Sequence, residues 1–243
     1  MKTGIIGAVQ QEVDLLFAEL TQSGTPVKVI RQGALEFHDG MLDGCPVTVV
    51  CCGVGKVNAA LCAQILISVC GTQAVINTGA AGSLDPDLTV LDMVVSTDAV
   101  QHDMDATKFG YSMGQVPGCD SPFFPADPVL RKIAMNAFER VMNTRKEAPV
   151  KIKEGRIASG DLFVADEDAR NRIRTFFSPL CVEMEGAAIA QVCAVNRVPF
   201  VILRSISDNA GEEAGMSYED FSAKAARVSS EIVREMLADC QAL

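Results

Sequence analysis

Residues 4–12 read GIIGAVQQE, in which an apolar strand ends, small residues turn the chain, and an acidic residue follows. The same arrangement recurs in CVEMEGAAIA at residues 181–190 and in LRSISDNAG at residues 203–211. Ligands of open α/β sheets bind beyond the carboxyl ends of the strands, so the acidic residues are predicted to face one pocket. They are Glu12, Glu183 or Glu185, and Asp208. Each one alone has a plainer explanation, because carboxylates also favour the first turn of a helix.

Around these segments, short apolar runs alternate with longer amphipathic segments, which is typical of an α/β sheet covered by helices. Strands are predicted at Thr3 to Gly7, Val27 to Ile30, Ala34 to Met41, Pro46 to Cys52, Ala74 to Asn77, Met93 to Gln101, Lys151 to Ser159, Leu180 to Glu183 and Phe200 to Ser207. Helices are predicted at Gln10 to Leu20, Lys56 to Val69, Pro128 to Met142, Glu167 to Phe176, Gly186 to Asn196 and Ser217 to Leu237. At 243 residues, one domain spanning residues 1–243 is expected.

One long irregular segment, from about His102 to Asp127, is rich in Gly and Pro. A loop of this length inside a compact domain usually has a function, so the segment is a candidate lid or interface.

Charge and composition restrict the partners. The formal net charge is −10 and the sequence pI is about 4.7, which argues against nucleic acid or an anionic membrane, since both require clustered Lys and Arg. Hydrophobic residues make up 49% of the chain, but no run approaches the roughly 20 apolar residues of a membrane span. A free nucleoside remains compatible with this charge. With only His38 and His102 and no thiol cluster at ligand spacing, no metal site is expected.

The cysteines and the N-terminus indicate a cytoplasmic protein. Nine cysteines are present, an odd number without a C-x-x-C pair, and several lie in apolar segments, as reduced core thiols do. The N-terminal residues enter a strand directly, without the zones of a signal peptide.

Two glycine-rich segments are less informative. GVGKVNAA at residues 53–60 lacks the third glycine of a dinucleotide fingerprint and the spacing of a Walker A loop, which makes a dinucleotide-dependent oxidoreductase a weak alternative. INTGAAGSL at residues 76–84 is interpreted as a strand followed by a tight turn.

Seven segments match one family in order. They are GIIGAVQQEV, CGVGKVNAA, INTGAAGSL, HDMDATKFGYSMGQVPGC, ASGDLFV, VEMEGAAIA and RSISDNA. Together they resemble the bacterial 5′-methylthioadenosine/S-adenosylhomocysteine nucleosidases of the purine nucleoside phosphorylase superfamily. The resemblance implies a single α/β domain with a central mixed sheet flanked by helices, a homodimer, and no metal or organic cofactor.

The resemblance also implies catalytic roles. Glu12 becomes the general base for the attacking water, Glu185 holds the ribose 2′-hydroxyl, and Asp208 is the general acid aimed at adenine N7. Ser207 would orient Asp208. These residue types suit the chemistry, because adenine leaves poorly as an anion and the ribose develops oxocarbenium character. One buried carboxyl that stays protonated and one that stays ionised can divide the two roles.

The remaining site residues follow from the same resemblance. Met184 would lie against the ribose, Phe163 would stack on the purine, and the backbone of Val164 would read its Watson–Crick edge. Val9, Val54 and Tyr218 would line the pocket for the 5′-alkylthio group, while Ala80, Gly82 and Glu183 complete the predicted substrate-binding set. Ala106, Phe109 and Pro117 would reach into the partner subunit's pocket.

Hydrolysis is favoured over phosphorolysis by what is missing. Phosphorylases of this fold place arginine and serine around the turn that corresponds to Asn77 and Ala80, and a phosphate without cationic partners is poorly bound. Purine nucleoside phosphorylase and a hydrolase of a related 5′-substituted adenosine or aminodeoxyfutalosine remain the alternatives. A nucleoside-binding sensor or storage protein that has lost turnover is another, but retention of all three carboxylates argues against it. The chain departs from the family pattern at Ala80, Val9 and Tyr218, where serine, methionine and phenylalanine are common.

Overall fold

The computed structural model describes residues 1–145, 150–208 and 218–241. The strands are β1 (Thr3–Gly7), β2 (Lys28–Gln32), β3 (Leu35–Leu42), β4 (Cys45–Cys51), β5 (Ala74–Ser83), β6 (Met93–Gln101), β7 (Phe123–Pro125), β8 (Ile152–Ser159), β9 (Cys181–Glu183) and β10 (Phe200–Asp208). The helices are α1 (Gln10–Gln22), α2 (Lys56–Ser68), α3 (Pro128–Thr144), α4 (Glu167–Phe177), α5 (Gly186–Asn196) and α6 (Tyr218–Cys240), with one 3₁₀ turn at Thr107–Phe109.

The strands form a mixed sheet in the order β10-β6-β8-β9-β5-β1-β4-β3-β2, with β7 paired to β6. β10 also pairs with β5 in parallel, so that β5, β9, β8, β6 and β10 form a closed ring of five strands. On the other side of β5, β1 runs parallel to both β5 and β4. The ring brings the ends of β9 and β10 close to the end of β1.

Alternate side chains of the sheet enter two apolar layers. In β5, Val75 packs into the layer with α2 and α5, whereas Ile76 packs into the layer with α1, α3 and α6. α5 is apolar on nearly every side and is buried from Gly186 to Ala190. Both faces of the central strands are therefore covered, as expected of parallel strands.

Local sequence explains where helices begin. α3 starts with Pro128 at its first position, and the carboxylate of Asp127 accepts hydrogen bonds from the backbone N–H groups of Val129 and Leu130, both at 2.9 Å. This is a standard N-terminal cap followed by proline. In the ranges described, no helix combines the length and apolar character required to cross a membrane.

The predicted α/β fold class is confirmed, and most predicted elements end within a few residues of their observed bounds. The tight turn predicted after Asn77 is wrong. β5 continues to Ser83 because Thr78 to Gly82 pair with β10 and Gly82 and Ser83 pair with β9. β7 and the 3₁₀ turn lie inside the segment predicted to be irregular. Ser217, the predicted start of the last helix, lies outside the described residues.

Candidate active site

A cavity of about 230 Å³ opens where β1, β9 and β10 end. Its walls include twelve of the predicted site residues: Val9, Glu12, Val54, Ala80, Gly82, Phe163, Val164, Glu183, Met184, Glu185, Ser207 and Asp208. Ala8, Ala81, Leu162 and Val182 also line it and were missed by sequence reasoning. The fold thus brings the three acidic segments of the sequence to one place.

Glu12 lies in the first turn of α1, and its carboxylate is held by backbone N–H groups. Oε2 accepts from Ala8 at 2.7 Å and from Val9 at 3.2 Å, and Oε1 accepts from Ala80 of β5 at 3.0 Å. Val9, at the N-cap, has no side-chain acceptor, so Glu12 itself satisfies the open N–H groups at the start of the helix. A side chain at Gly79 would overlap Glu12 and Arg204. The carboxylate is therefore fixed between α1 and β5.

Arg204 on β10 is a buried cation behind the cavity, 1% exposed. It donates from Nη2 to Asn77 Oδ1 at 2.8 Å and to Glu183, and Nη2 lies 3.7 Å from Glu185 Oε2. Burial opposes the charge of the guanidinium, but Glu183, Glu185 and Glu12 outweigh burial and raise its pKa above the ordinary value. Sequence reasoning missed Arg204, although a single charged residue in the apolar strand FVILRSIS is a recognisable signal.

Glu183 lines the cavity, but its carboxylate is bonded to groups of the protein. Oε2 accepts from the backbone N–H groups of Glu185 at 3.1 Å and Gly186 at 2.8 Å and from Arg204, and Oε1 accepts from Ser159. Its side chain is 2% exposed. Glu183 therefore holds Arg204 and the first turn of α5 in place.

Glu185 is a buried carboxyl group in the wall of the cavity. Oε1 accepts from the backbone N–H of Gly55 at 2.9 Å. Burial, followed by the charge of Glu183, raises the pKa of Glu185 to about 7, and Arg204 opposes this only in part. The group can therefore change its protonation state near neutral pH.

Asp208 ends β10, next to a shift in the register between Ile206 and Asp208 opposite Gly82 of β5. Such irregularities re-aim side chains at the ends of strands, and Asp208 lines the cavity. Ser207 Oγ lies 3.3 Å from Asp208 Oδ2 and 3.2 Å from the carbonyl oxygen of Ala81. Ser207 thus ties Asp208 to the wall of the cavity.

Two positions that depart from the family pattern, Val9 and Ala80, also line a smaller space of about 20 Å³ between Glu12 and α6. That volume admits a single water molecule. Thr78 lines the same space, and its buried hydroxyl has no hydrogen-bond partner among the described residues. The two positions at which the sequence departs from the family pattern therefore lie next to Glu12. The side chain of Tyr218 lies outside the described residues.

The residues predicted to reach a partner differ in exposure. Phe109 is 84% exposed, and Pro117 is also exposed, whereas Ala106 is 6% exposed and buried in its own chain. None of the three lines the cavity of this chain. Phe163, at the mouth of the cavity, is 73% exposed.

Comparison with known proteins defines the class. The family model described as the phosphorylase superfamily matches residues 2–238, and the chain belongs to that superfamily.

Among its relatives, the 5′-methylthioadenosine/S-adenosylhomocysteine nucleosidase of Treponema pallidum is 43% identical over 260 residues, covering 100% of this chain and 95% of the relative. The Colwellia psychrerythraea nucleosidase, solved in complex with adenine, has a TM-score of 0.89 and 40% identity, covering 98% of this chain and 95% of that one. A futalosine hydrolase of Helicobacter pylori has a TM-score of 0.88 and 34% identity, covering 98% of each chain. Within the superfamily, the chain belongs to the 5′-methylthioadenosine/S-adenosylhomocysteine nucleosidases, as its motifs predicted.

Proposed function

We propose that this protein hydrolyses the N-glycosidic bond of 5′-methylthioadenosine and S-adenosylhomocysteine, releasing adenine and the 5-thioribose product. The observation that supports it best is the placement of Glu12, Glu185 and Asp208 around one cavity. Relatives at 42–43% identity with this named activity support the choice of substrates.

The reaction needs an acid on one side of the scissile bond and a base on the other. Asp208 donates a proton to adenine N7 as the bond between N9 and C1′ breaks, and Ser207 orients its carboxyl group. Water attacks C1′ and gives its proton to Glu12, whose orientation is fixed by three backbone N–H groups. Glu185 accepts a hydrogen bond from the ribose 2′-hydroxyl, and this bond strengthens as positive charge develops on the sugar.

The pocket lining supplies binding. In this proposal Phe163 stacks on the purine, the backbone of Val164 reads its edge, and Met184 packs on the ribose. Val9, Val54 and Tyr218 surround the 5′-substituent, and Ala80 and Gly82 form the wall opposite. The likeness to a futalosine hydrolase makes a related 5′-substituted adenosine the second candidate substrate.

Water is favoured over phosphate as the nucleophile. Glu12 occupies one side of the site, and Arg204, the buried cation there, is already bonded to Asn77 and Glu183. We expect adenine release from 5′-methylthioadenosine to proceed at the same rate with and without inorganic phosphate. The rate is measured spectrophotometrically in a phosphate-depleted buffer and in the same buffer with phosphate added. A rate that depends on phosphate would identify a phosphorylase, and release from aminodeoxyfutalosine alone would favour the second candidate.

We also propose a homodimer in which Phe109 and Pro117 of each chain complete the neighbouring pocket. Large apolar side chains are exposed on α2 and α5, which pack together: Val57 is 78%, Leu61 55% and Val195 73% exposed. Large apolar side chains exposed together on neighbouring helices are typical of an interface. Ala106, which the resemblance groups with Phe109 and Pro117, is buried within its own chain.

Mixing two defective variants tests the shared pocket. Phe109→Ala retains its own Asp208, and Asp208→Asn retains its own Phe109. In a mixed dimer the Phe109→Ala subunit receives an intact Phe109, so subunit exchange between the two variants is expected to restore turnover at low substrate concentration. A mixture no more active than the sum of its parts, or sedimentation at the 25.9 kDa of one chain, would contradict the proposal.

A cytoplasmic location remains part of the proposal. It is supported by nine cysteines, all with free thiols in the structure. Subcellular fractionation of the native host is the direct test, and recovery in an extracytoplasmic fraction would contradict it.

A further inference from the structure

The N-terminus of α2 joins two parts of the site that are distant in sequence. The backbone N–H of Gly55 donates to Glu185 at 2.9 Å, and the next N–H, that of Lys56, donates to Asp161 Oδ1 at 2.8 Å. Both are among the N–H groups that a helix leaves open at its start, where negative charge is favoured. Asp161 is the first residue of the segment 161–164, called here the adenine loop, whose Leu162, Phe163 and Val164 line the cavity.

The side chain of Lys56 adds a second tie to the same loop. Its Nζ lies 2.7 Å from Asp103 Oδ1 and 3.0 Å from Gln101 Oε1, and the lysine side chain is 17% exposed. The other oxygen of Asp103 accepts from the backbone N–H of Asp161 at 2.9 Å. The adenine loop is thus anchored at Asp161 through its backbone and its carboxylate.

Charge and space both favour this arrangement. Burial opposes the ionised form of Asp103, but the bonds from Lys56 and from the N–H of Asp161 outweigh burial and lower its pKa. Gly55 has φ +99°, and a Cβ there would lie 3.1 Å from Asp161 Oδ1. A Cβ on Gly160 would lie 3.0 Å from Asp103 Cγ and would overlap His102. Both glycines allow a close approach that other residues would prevent.

We propose that Lys56 is a positioning residue that fixes the adenine loop relative to Glu185, and that it thereby sets the affinity for the purine. The inference rests on the proposed function. Within the described ranges, the side-chain hydrogen bonds of Lys56 go to Gln101 and Asp103, so its side chain acts on binding of the base and leaves the acid and the general base in place.

Lys56→Met tests the proposal, with Lys153→Met as a matched control. Lys153 also pairs with two aspartates, Asp85 at 2.8 Å and Asp87 at 3.2 Å, but lies outside the cavity. Loss of one charged hydrogen-bond network is expected to weaken adenine binding and to raise KM by about tenfold, with kcat changed by less than about threefold. The control is expected to leave all three quantities unchanged.

Adenine affinity is measured by calorimetry, which needs no turnover. If wild type binds adenine but releases none from 5′-methylthioadenosine, the proposed function is contradicted. The adenine affinities of wild type and Lys56→Met still decide the role of Lys56 in that case. The double variant Lys56→Met/Asp103→Asn is expected to bind adenine no more weakly than Lys56→Met alone, because both changes break the same tie. Adenine affinity within twofold of wild type in Lys56→Met, or equal losses in Lys153→Met, would overturn the inference.

Discussion

Asp208→Asn is expected to lower kcat for adenine release by about 10²- to 10⁴-fold, the usual contribution of one well-placed acid. Asparagine has nearly the same shape and keeps a group within reach of Ser207, but it cannot supply an acidic proton to N7. Adenine affinity is expected to change little, so single-turnover kinetics at saturating substrate measure the loss in the chemical step.

A substrate with a better leaving group provides the control. In a 4-nitrophenyl 5-thioriboside, the leaving group departs as the stable 4-nitrophenolate and needs no protonation. Asp208→Asn is therefore expected to cleave this substrate nearly as fast as wild type does. Equal losses with both substrates would mean that Asp208 supports the site in another way than by donating a proton.

Glu185 predicts a pH dependence that can be measured on the wild type. Since the pKa of Glu185 is raised to about 7 by burial and by the charge of Glu183, kcat/KM is expected to have an acidic limb that rises with pH through about 7. The ionised form is the one that accepts the 2′-hydroxyl, and kcat/KM reports the free enzyme. Glu185→Gln is expected to lose this acidic limb and to lower kcat/KM by about 10²-fold or more, as the contact to the 2′-hydroxyl weakens.

Stability separates this effect from misfolding. A carboxyl group with a raised folded pKa binds its proton more tightly in the folded state, so its contribution to the free energy of unfolding falls as pH rises from 4.5 to about 7. A glutamine does not ionise, so Glu185→Gln avoids this loss of stability, and its side-chain oxygen can still accept the hydrogen bond from the backbone N–H of Gly55. The variant is therefore expected to have a Tm at pH 8 equal to or above that of wild type. A lower Tm together with lost activity would indicate structural damage instead.

Much of the fold and of the site could be predicted from local sequence. Strands and helices show in the spacing of apolar residues, and the catalytic candidates show as acidic residues just after such strands or at their ends. Glu12 lies in the first turn of the helix that follows β1, and Asp208 ends β10. The carboxyl ends of such strands face the ligand site of an open α/β sheet. The pairing of Thr78 to Gly82 with β10 could not be predicted, since it depends on contacts far apart in the chain.

The supporting groups were missed for the same reason. Ser159 and Lys56 stand in unremarkable local sequence, and Arg204 shows only as a single charge in an apolar strand. The partners that define their roles lie 21 to 127 residues away in the chain. Glu183 lines the cavity, and local sequence could not predict that its carboxylate is also bonded to Ser159 and Arg204.

The closed ring of β5, β9, β8, β6 and β10 also limits how the protein can change over evolutionary time. An inserted residue in an open sheet can be absorbed at a free edge, but in a ring every strand has two fixed neighbours, and a slip of one residue reverses every side chain that follows. New substrate preferences are therefore expected to arise mainly by change in the adenine loop and in the segment that includes Phe109, and only rarely by insertion or deletion within the strands of the ring.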